Sequence, residues 1–220
     1  LTGIGDFTSL DLFDVRYNQL SSLDLSQNTA LSELKCDNNQ LSSLDFTQNS
    51  NLRKLWCGSN QLTSINLTQN TNLILLSFNN NLISNIDISN NINLESLYFS
   101  QNTNLSFIDV FHCSALTNIN GSNCQINNID LSQNISLQFL QLDNNQLSNI
   151  DLSQCINLEW ANLANNQLST IDVSNCNILT DLEINNNQLS SLNITQNSDL
   201  NYLNCESNQL NSLDVLQNLN

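Results

Sequence analysis

Apolar residues recur at a fixed spacing of 21 positions along most of this chain. The segment LSELKCDNNQLSSLDFTQN begins at Leu31, and the corresponding apolar pattern begins again at Leu52 and at Leu73. Ten copies run from Leu10 towards the end of the chain. A fixed period in this range is typical of a solenoid, because one repeat cannot bury its own apolar face and must pack on the next. The pattern therefore predicts one elongated domain.

Each repeat divides into two similar halves that both read LxxLxLxxN. Apolar and polar residues alternate across Leu34-Lys35-Cys36 and again across Leu44-Asp45-Phe46. Such alternation is typical of a short strand with one buried face. We therefore expect a mainly β solenoid with two short strands per coil and parallel sheets. Neither half offers the ten or so residues that an ordinary helix needs, so we expect little or no α-helix.

Asparagines recur after each of the two expected strands, and we expect them to point inward. An amide at such a position can bond the backbone of its own coil and of the next coil where the chain bends. Cys replaces Asn four times, which suits a small inward side chain. The first Asn column comprises Asn18, Asn39, Asn60, Asn81, Asn102, Cys124, Asn145, Asn166, Asn187 and Asn208, and the second comprises Asn28, Asn49, Asn70, Asn91, Cys113, Asn134, Cys155, Cys176, Asn197 and Asn218.

The repeat LxxLxCxxNxLxxLDLxxN resembles the leucine-rich repeat superfamily, specifically the short bacterial class with a nested motif called IRREKO. The resemblance covers nearly the whole chain. It implies a right-handed coil that serves as a recognition scaffold, in a secreted or cell-surface protein of a bacterium. It does not identify the partner, because leucine-rich repeats serve many unrelated binding tasks.

The repeat pattern predicts a single solenoid domain over residues 1–220, with a partial repeat over 1–9 and full repeats from residue 10 onward. The repeat at 94–115 has 22 residues, and the additional residue near 103–105 predicts a bulge or a widened turn. Neither end resembles a polar cap, so we expect flanking repeats or domains in a longer protein and end-to-end self-association of this fragment. No apolar run approaches the roughly 20 residues of a membrane span.

The net charge and the cysteine pattern limit which binding partners, disulfides and metal sites can be expected. The chain has 20 acidic and 4 basic residues, a net charge of -16. Nucleic acids and anionic membrane surfaces are therefore poor partners, because both require clustered Lys and Arg. The seven cysteines are expected to be buried reduced thiols; the alternative is a bridge between stacked neighbours, Cys155 with Cys176 or Cys36 with Cys57. No CxxC or CxxH spacing indicates zinc.

The outward positions of the second expected strand form a repeated acidic strip. Eight of ten are Asp, and their neighbours are mostly Ser or Thr. One interpretation is a solvated ladder that keeps the solenoid soluble and discourages lateral association. The alternative is calcium bound between coils, because calcium prefers carboxylate oxygens. The candidate ligands are Asp87, Asp109, Asp130, Asp151 and Asp172. No other metal or cofactor is expected.

The outward positions of the first expected strand are chemically varied. Aromatic and aliphatic side chains occur there among amides and carboxylates, which suits hot-spot contacts with a protein or ring stacking on a glycan. The alternative is partial burial against neighbouring side chains. Phe139 and Trp160 share a column and are expected to stack. The candidate binding face comprises Trp56, Leu75, Tyr98, Phe139, Trp160 and Tyr202.

The sequence also contains a second candidate patch, which is aromatic, and it shows no catalytic pattern. Phe107, Phe111 and His112 lie in the 22-residue repeat, as a contact site or as local repacking. No nucleophile with a partner base can be identified from spacing, so we do not expect an enzyme. We expect a noncatalytic recognition or adhesion module that binds a protein or a glycan. The alternative is a structural spacer of ten coils, about 48 Å long at about 4.8 Å per coil.

Overall fold

Each coil of the solenoid contributes one strand of three residues. The structure, a computed structural model that describes residues 3–218, arranges these strands in one parallel sheet, in chain order. A 3₁₀ helix at Ile4–Asp6 precedes the sheet, and residues 3–218 contain no α-helix. The strands are β1 (Leu12–Asp14), β2 (Glu33–Lys35), β3 (Lys54–Trp56), β4 (Leu75–Ser77), β5 (Ser96–Tyr98), β6 (Asn118–Asn120), β7 (Phe139–Gln141), β8 (Trp160–Asn162), β9 (Asp181–Glu183) and β10 (Tyr202–Asn204). The predicted parallel solenoid with little helix is confirmed.

The sequence period sets the register of the sheet. Leu34 pairs with Leu55, and Leu55 pairs with Leu76 in the next coil. One residue per coil adopts a positive φ just before the first Asn column, and these residues are 21 positions apart except where Asn123 follows Gln101. Residues 1, 2, 219 and 220 of the predicted domain lie outside the described range.

The core lies between the sheet and the second half of each coil. The central residue of β2 to β9 is buried, as Leu34 and Leu97 show. Phe78 and Phe99 occupy the same inward position in adjacent coils, with ring centroids 6.1 Å apart. Gly121 takes this position in the following coil, where a Cβ would lie 2.2 Å from the Phe99 ring. The glycine therefore makes room for the large side chain before it.

The second half of each coil is not a regular strand, and the prediction of two strands per coil is wrong. Within residues 3–218, the pairing outside the ten-stranded sheet is one isolated parallel bridge, between Phe107 and Asn128. Local turns use the backbone groups that a second ladder would need. Thr47 donates its N–H to Asp45 Oδ1 at 2.9 Å, and Asn49 donates its N–H to the Phe46 carbonyl at 3.0 Å. Between the two halves of a coil, the N–H of Gln61 still donates to the Leu41 carbonyl of the preceding coil at 2.8 Å.

Each asparagine of the first Asn column after Asn18 uses both ends of its amide. Asn81 Nδ2 donates to the Phe78 carbonyl in its own coil and to the Cys57 carbonyl in the preceding coil, both at 3.0 Å. Asn81 Oδ1 accepts the N–H of Leu62, also in the preceding coil, at 3.0 Å. The sequence correctly placed these amides inside, but their second partner is the preceding coil rather than the next one.

The second Asn column uses only its donors. Asn70 Nδ2 donates to the Phe46 carbonyl at 3.2 Å and to the Asn49 carbonyl at 2.8 Å, both before it in the chain. Asn70 Oδ1 is buried and accepts no hydrogen bond. The same is true of every other asparagine in the column: Asn28, Asn49, Asn91, Asn134, Asn197 and Asn218. The column is therefore a set of donors with orphaned acceptors.

The 22-residue repeat places its additional residue beside the first column. A turn at 103–104 is closed by the N–H of Leu105, which donates to the Asn102 carbonyl at 2.9 Å. At the other equivalent positions from Leu20 to Leu189, the N–H donates to the Oδ1 of the next first-column asparagine, as Ile126 does to Asn145. Because Leu105 has a partner in its own turn, Cys124 can occupy the column there without leaving that N–H unpaired.

Candidate recognition surface

The outward side chains of β1 to β10 form one continuous surface, which we call the sheet face. All six residues predicted for the binding face lie on it, because strand residues on either side of a buried centre point outward. Phe139 is 39% exposed and Tyr202 is 48% exposed. Trp56, Leu75, Tyr98 and Trp160 are half-buried. The face therefore offers apolar area at the ends and in the middle of the array.

The first three coils carry a charged cluster on the sheet face. Lys35 Nζ lies 2.7 Å from Glu33 Oε1 and 5.0 Å from the centroid of the Trp56 ring. Lys54 Nζ lies 3.8 Å from the other oxygen of Glu33. Arg16 makes a bond of 2.7 Å with Asp14, and this contact lowers the pKa of the Asp14 carboxyl. The cations of this region are thus largely paired within the chain.

The last four coils present aromatic and acidic residues in register. Phe139 is paired with Trp160, Trp160 with Asp181, and Asp181 with Tyr202 along one line across the strands. The ring contacts within residues 3–218 join Phe78 to Phe99 and Phe111 to His112. The predicted stacking of Phe139 on Trp160 is therefore wrong, although the two residues are neighbours.

The outward residues of the second halves form the surface that we call the Asp side. Each of the ten Asp or Asn side chains accepts, at Oδ1, the backbone N–H of the residue two positions later, as Asp151 does from Ser153 at 2.9 Å. Asn66 and Asn193 serve as well as Asp, because the turn requires an acceptor and not a charge. Sequence reasoning missed this role, although the two asparagines in the column were its signal.

The hydrogen bonds of these turns also lower the pKa values of several Asp carboxyl groups that accept them. The backbone N–H of Thr47, and then its hydroxyl, lower the pKa of Asp45. The pKa is lowered in the same way by the backbone and hydroxyl of a serine at Asp24, Asp151 and Asp172, and by the hydroxyl first at Asp87 and Asp130. On the sheet face the effect is opposite at Asp37, where burial raises the pKa despite a hydrogen bond from the Gly58 N–H.

The five aspartates considered for calcium lie in consecutive coils of the Asp side and are exposed. Each commits one oxygen to its own turn. Within residues 3–218, no group of three or more His, Cys, Asp or Glu side chains is placed to hold a metal ion. The turn hydrogen bond is thus a structural role that the Asp and Asn residues of this column share.

The aromatic patch of the 22-residue repeat lies on the Asp side, away from the sheet face. Phe107 is 52% exposed and Phe111 is 40% exposed, on either side of Asp109. The Phe111 and His112 rings meet edge to face at 5.2 Å. The structure brings Phe111 and His112 into contact, and it separates the patch from the six residues of the sheet face.

The cysteines are all free thiols, as expected from the sequence. Six are buried, and Cys205 is half-buried. Burial raises the pKa of Cys155 to about 12 and that of Cys176 to about 11. Thiols with such pKa values are not nucleophiles at neutral pH. Their role is to fill inward positions.

Comparison with solved structures connects this surface to known repeat proteins. The functional domain of InlJ from Listeria monocytogenes, which includes a cysteine ladder, matches 99% of this chain at 32% identity, with a TM-score of 0.82. The internalin InlF from the same species matches 96% of this chain at 26% identity, with a TM-score of 0.77, and the match covers 72% of InlF. YopM, a leucine-rich effector protein from Yersinia pestis, matches 91% of this chain and 56% of its own at 24% identity, with a TM-score of 0.77.

The chain spans 53% of InlJ, so it corresponds to about half of that structure. No family model matches the sequence, and no curated protein matches it. Within residues 3–218, the structure contains no helix with the length and apolarity that membrane crossing requires.

Proposed function

Because this chain is a leucine-rich repeat protein, we propose that it is a noncatalytic recognition module that binds a protein partner through its sheet face. One observation carries the proposal. Outward residues on the Asp side form the same turn in every coil, whereas outward residues on the sheet face vary from coil to coil and include Trp56, Phe139 and Trp160. Variation where the fold imposes no residue type is what selective binding requires.

The dimensions of the sheet face fit a partner that covers many coils. Ten strands at about 4.8 Å give a length of roughly 48 Å, and three residues per strand give a width of about 10 Å. A typical protein interface buries about 800 Å² on each side. A partner would therefore contact most of the strands and also the residues that flank them.

The same surface explains why a protein is favoured over a glycan in this proposal. Its apolar residues are distributed along the array, with Trp56 and Leu75 near one end and Phe139 and Tyr202 near the other. Protein hot spots are aromatic anchors spread over such areas. Glycan stacking on Trp56 would compete with Lys35, which already lies over that ring. A secreted or cell-surface location, implied by the family resemblance, belongs to the same proposal.

The test uses changes in the centre of each surface. The chain is screened against a panel of extracellular proteins and a glycan array, and any hit is titrated by biolayer interferometry. Leu75→Glu with Tyr98→Glu on the sheet face is expected to weaken binding of a protein at least tenfold. Ser64→Glu with Ser84→Glu, which adds the same charge on the Asp side, is the control and is expected to leave affinity within twofold.

Two results would contradict the proposal. Binding that is lost with the Asp-side pair and retained with the sheet-face pair would move recognition to the Asp side. Hits confined to the glycan array would replace the protein partner by a sugar.

A structural spacer is the second candidate, and the continuous hydrogen-bonded columns favour it. Asn81 and its equivalents tie each coil to the preceding one through the whole array. A spacer would show no binding above background in either screen. It would also keep its full length in small-angle X-ray scattering when the sheet-face residues are changed.

A further inference from the structure

Charge is distributed unevenly along the sheet face. All four Lys and Arg residues of the chain lie at or before position 54, and the residues after it include thirteen acidic side chains and no Lys or Arg. Within residues 3–218, the ion pairs all lie in the first three coils. Acidic residues near the end of the array therefore have no cation of their own chain to pair with.

The first three coils show how this surface holds a cation. Lys35 lies between Glu33, on its own strand, and the ring of Trp56, its register partner on the next strand. Its side chain is 25% exposed, so the ammonium group is partly withdrawn from water. A cation over a Trp face gains about 0.5–2 kcal/mol, more when it is desolvated. Tryptophan and a carboxylate on adjacent strands thus form a cation site that the chain fills itself.

The last coils repeat these groups without the cation. Trp160 in β8 has Asp181 as its register partner in β9, and Tyr202 in β10 pairs with the same aspartate. Glu159 precedes Trp160, and Glu183 ends β9. Among residues 3–218, Asp181 accepts one hydrogen bond, from the Thr180 hydroxyl at 2.6 Å, and the carboxylates of Glu159 and Glu183 have no hydrogen-bond or ion-pair partner.

We propose that the sheet face of β8 to β10 docks a basic segment of a partner protein, with an Arg or Lys side chain over Trp160 and paired to Asp181 and Glu183. This inference rests on the proposed function and specifies the partner and the end of the array that it contacts. The partner supplies the cation that Lys35 supplies in the first coils. Exposed Tyr202 and Phe139 flank this position and provide apolar contact on both sides.

A bare metal ion is a poorer occupant than a basic side chain. No group of three or more metal-ligating residues is assembled within residues 3–218. The register partners of Asp181 on both neighbouring strands are aromatic residues, Trp160 and Tyr202, rather than further carboxylates. Arg combines a planar cation that stacks on aromatic rings with a fork that pairs to carboxylates, so it fits both groups at once.

The experiment measures binding of a fluorescein-labelled Gly–Ser peptide that contains Arg at every third position, by fluorescence anisotropy at about 0.15 M salt, where longer-range attraction is screened. A peptide with Gln in place of Arg is the neutral probe. Asp181→Asn with Glu183→Gln tests the carboxylates. Trp160→Leu removes the ring but retains apolar volume. Asp151→Asn with Asp172→Asn is the matched control, because it removes the same charge from the Asp side of neighbouring coils. Circular dichroism melts check that each variant folds.

The expected result is a loss of at least tenfold for Asp181→Asn with Glu183→Gln and at least threefold for Trp160→Leu, with less than twofold for the control pair. The Gln peptide is expected not to bind. Equal losses for the two pairs of substitutions would overturn the proposal, because net charge alone would then explain binding. Unchanged affinity in Trp160→Leu would overturn it as well. If the Arg peptide does not bind while a protein still binds the sheet face through Leu75 and Tyr98, the inference of a basic partner segment is refuted and the proposed function is retained.

Discussion

Beside the sheet, each first-column asparagine after the first coil uses both ends of its amide, whereas on the Asp side each second-column asparagine uses only its donors. Asn81 accepts the Leu62 N–H, while the equivalent oxygen of Asn70 accepts nothing. A cysteine thiol is a weak hydrogen-bond donor, and Cys replaces a second-column asparagine at three positions. At one of them, Cys113 still contacts the Ile88 and Asn91 carbonyls. Cys replaces a first-column asparagine only at Cys124, where the Leu105 N–H donates to the Asn102 carbonyl instead. Both columns consist mainly of asparagine, but only the first column requires a side-chain hydrogen-bond acceptor.

The largest expected effect tests this difference directly. Asn81→Ala removes the acceptor of the buried Leu62 N–H, and an unpaired buried backbone group costs about 1–3 kcal/mol in addition to the lost donor bonds. We expect a loss of about 3 kcal/mol in the free energy of unfolding, measured in urea by circular dichroism. Asn70→Ala is the matched control and is expected to cost about 1 kcal/mol, because only donor bonds are lost. Equal losses at the two sites would refute the distinction.

A smaller loss of stability is expected when the core beside the sheet is overpacked. Gly121→Ala places a Cβ 2.2 Å from the Phe99 ring, so the ring or the backbone must move. Overpacking of this kind costs about 1–3 kcal/mol, and we expect about 2 kcal/mol. Gly58→Ala is the control, because its Cβ would lie 3.1 Å from its nearest neighbours and needs a smaller shift. The added change Phe99→Leu should restore part of the loss in Gly121→Ala; failure to do so would place the strain elsewhere.

The smallest effect concerns acid on the Asp side. The pKa values of Asp151 and Asp172 are lowered in the folded chain. Their contribution to stability is therefore present above the unfolded value of about 3.9 and is lost as the pH falls through the lower folded values. We expect Tm to decrease from pH 5 to pH 3, and to decrease less in Asp151→Asn with Asp172→Asn. At pH 7 this variant should melt close to the unchanged chain, since Asn66 and Asn193 make the same turn. An identical acid profile in both chains would show that other groups dominate.

Much of the fold follows from the sequence because the period is so regular. Alternation around Leu34 and Leu55 identifies the strands, and the same alternation places Trp56 and Trp160 outside. Alternation around Leu44 predicted a second strand that does not form, because the Asp45 side chain captures the Thr47 N–H in a turn. A hydrogen bond between near neighbours in sequence competes with a strand because it closes a short loop, which costs less entropy than closing a long one.

The candidate surface was predictable in membership but not in arrangement. Inward or outward position is a local property of a strand, so the six sheet-face residues could be identified from the repeat. Stacking of Phe139 on Trp160 could not be judged in this way, since ring contact depends on side-chain torsions as well as on register. The separation of Phe107 and Phe111 from the sheet face follows from the period, but their exposure on either side of Asp109 required coordinates.

The repeat length, the inward and outward positions and the concentration of all four cations in the first coils follow from the amino-acid pattern alone. The interactions of those residues depend on the folded structure. Their interaction partners lie about one coil away in the chain, and the side chains meet only when the coils stack. Lys35 reaches the Trp56 ring, Leu62 finds the Asn81 amide, and Asp181 lies beside Trp160 without a cation. Periodicity defines positions within one coil, but contacts between coils depend on which side chains the stacking brings together.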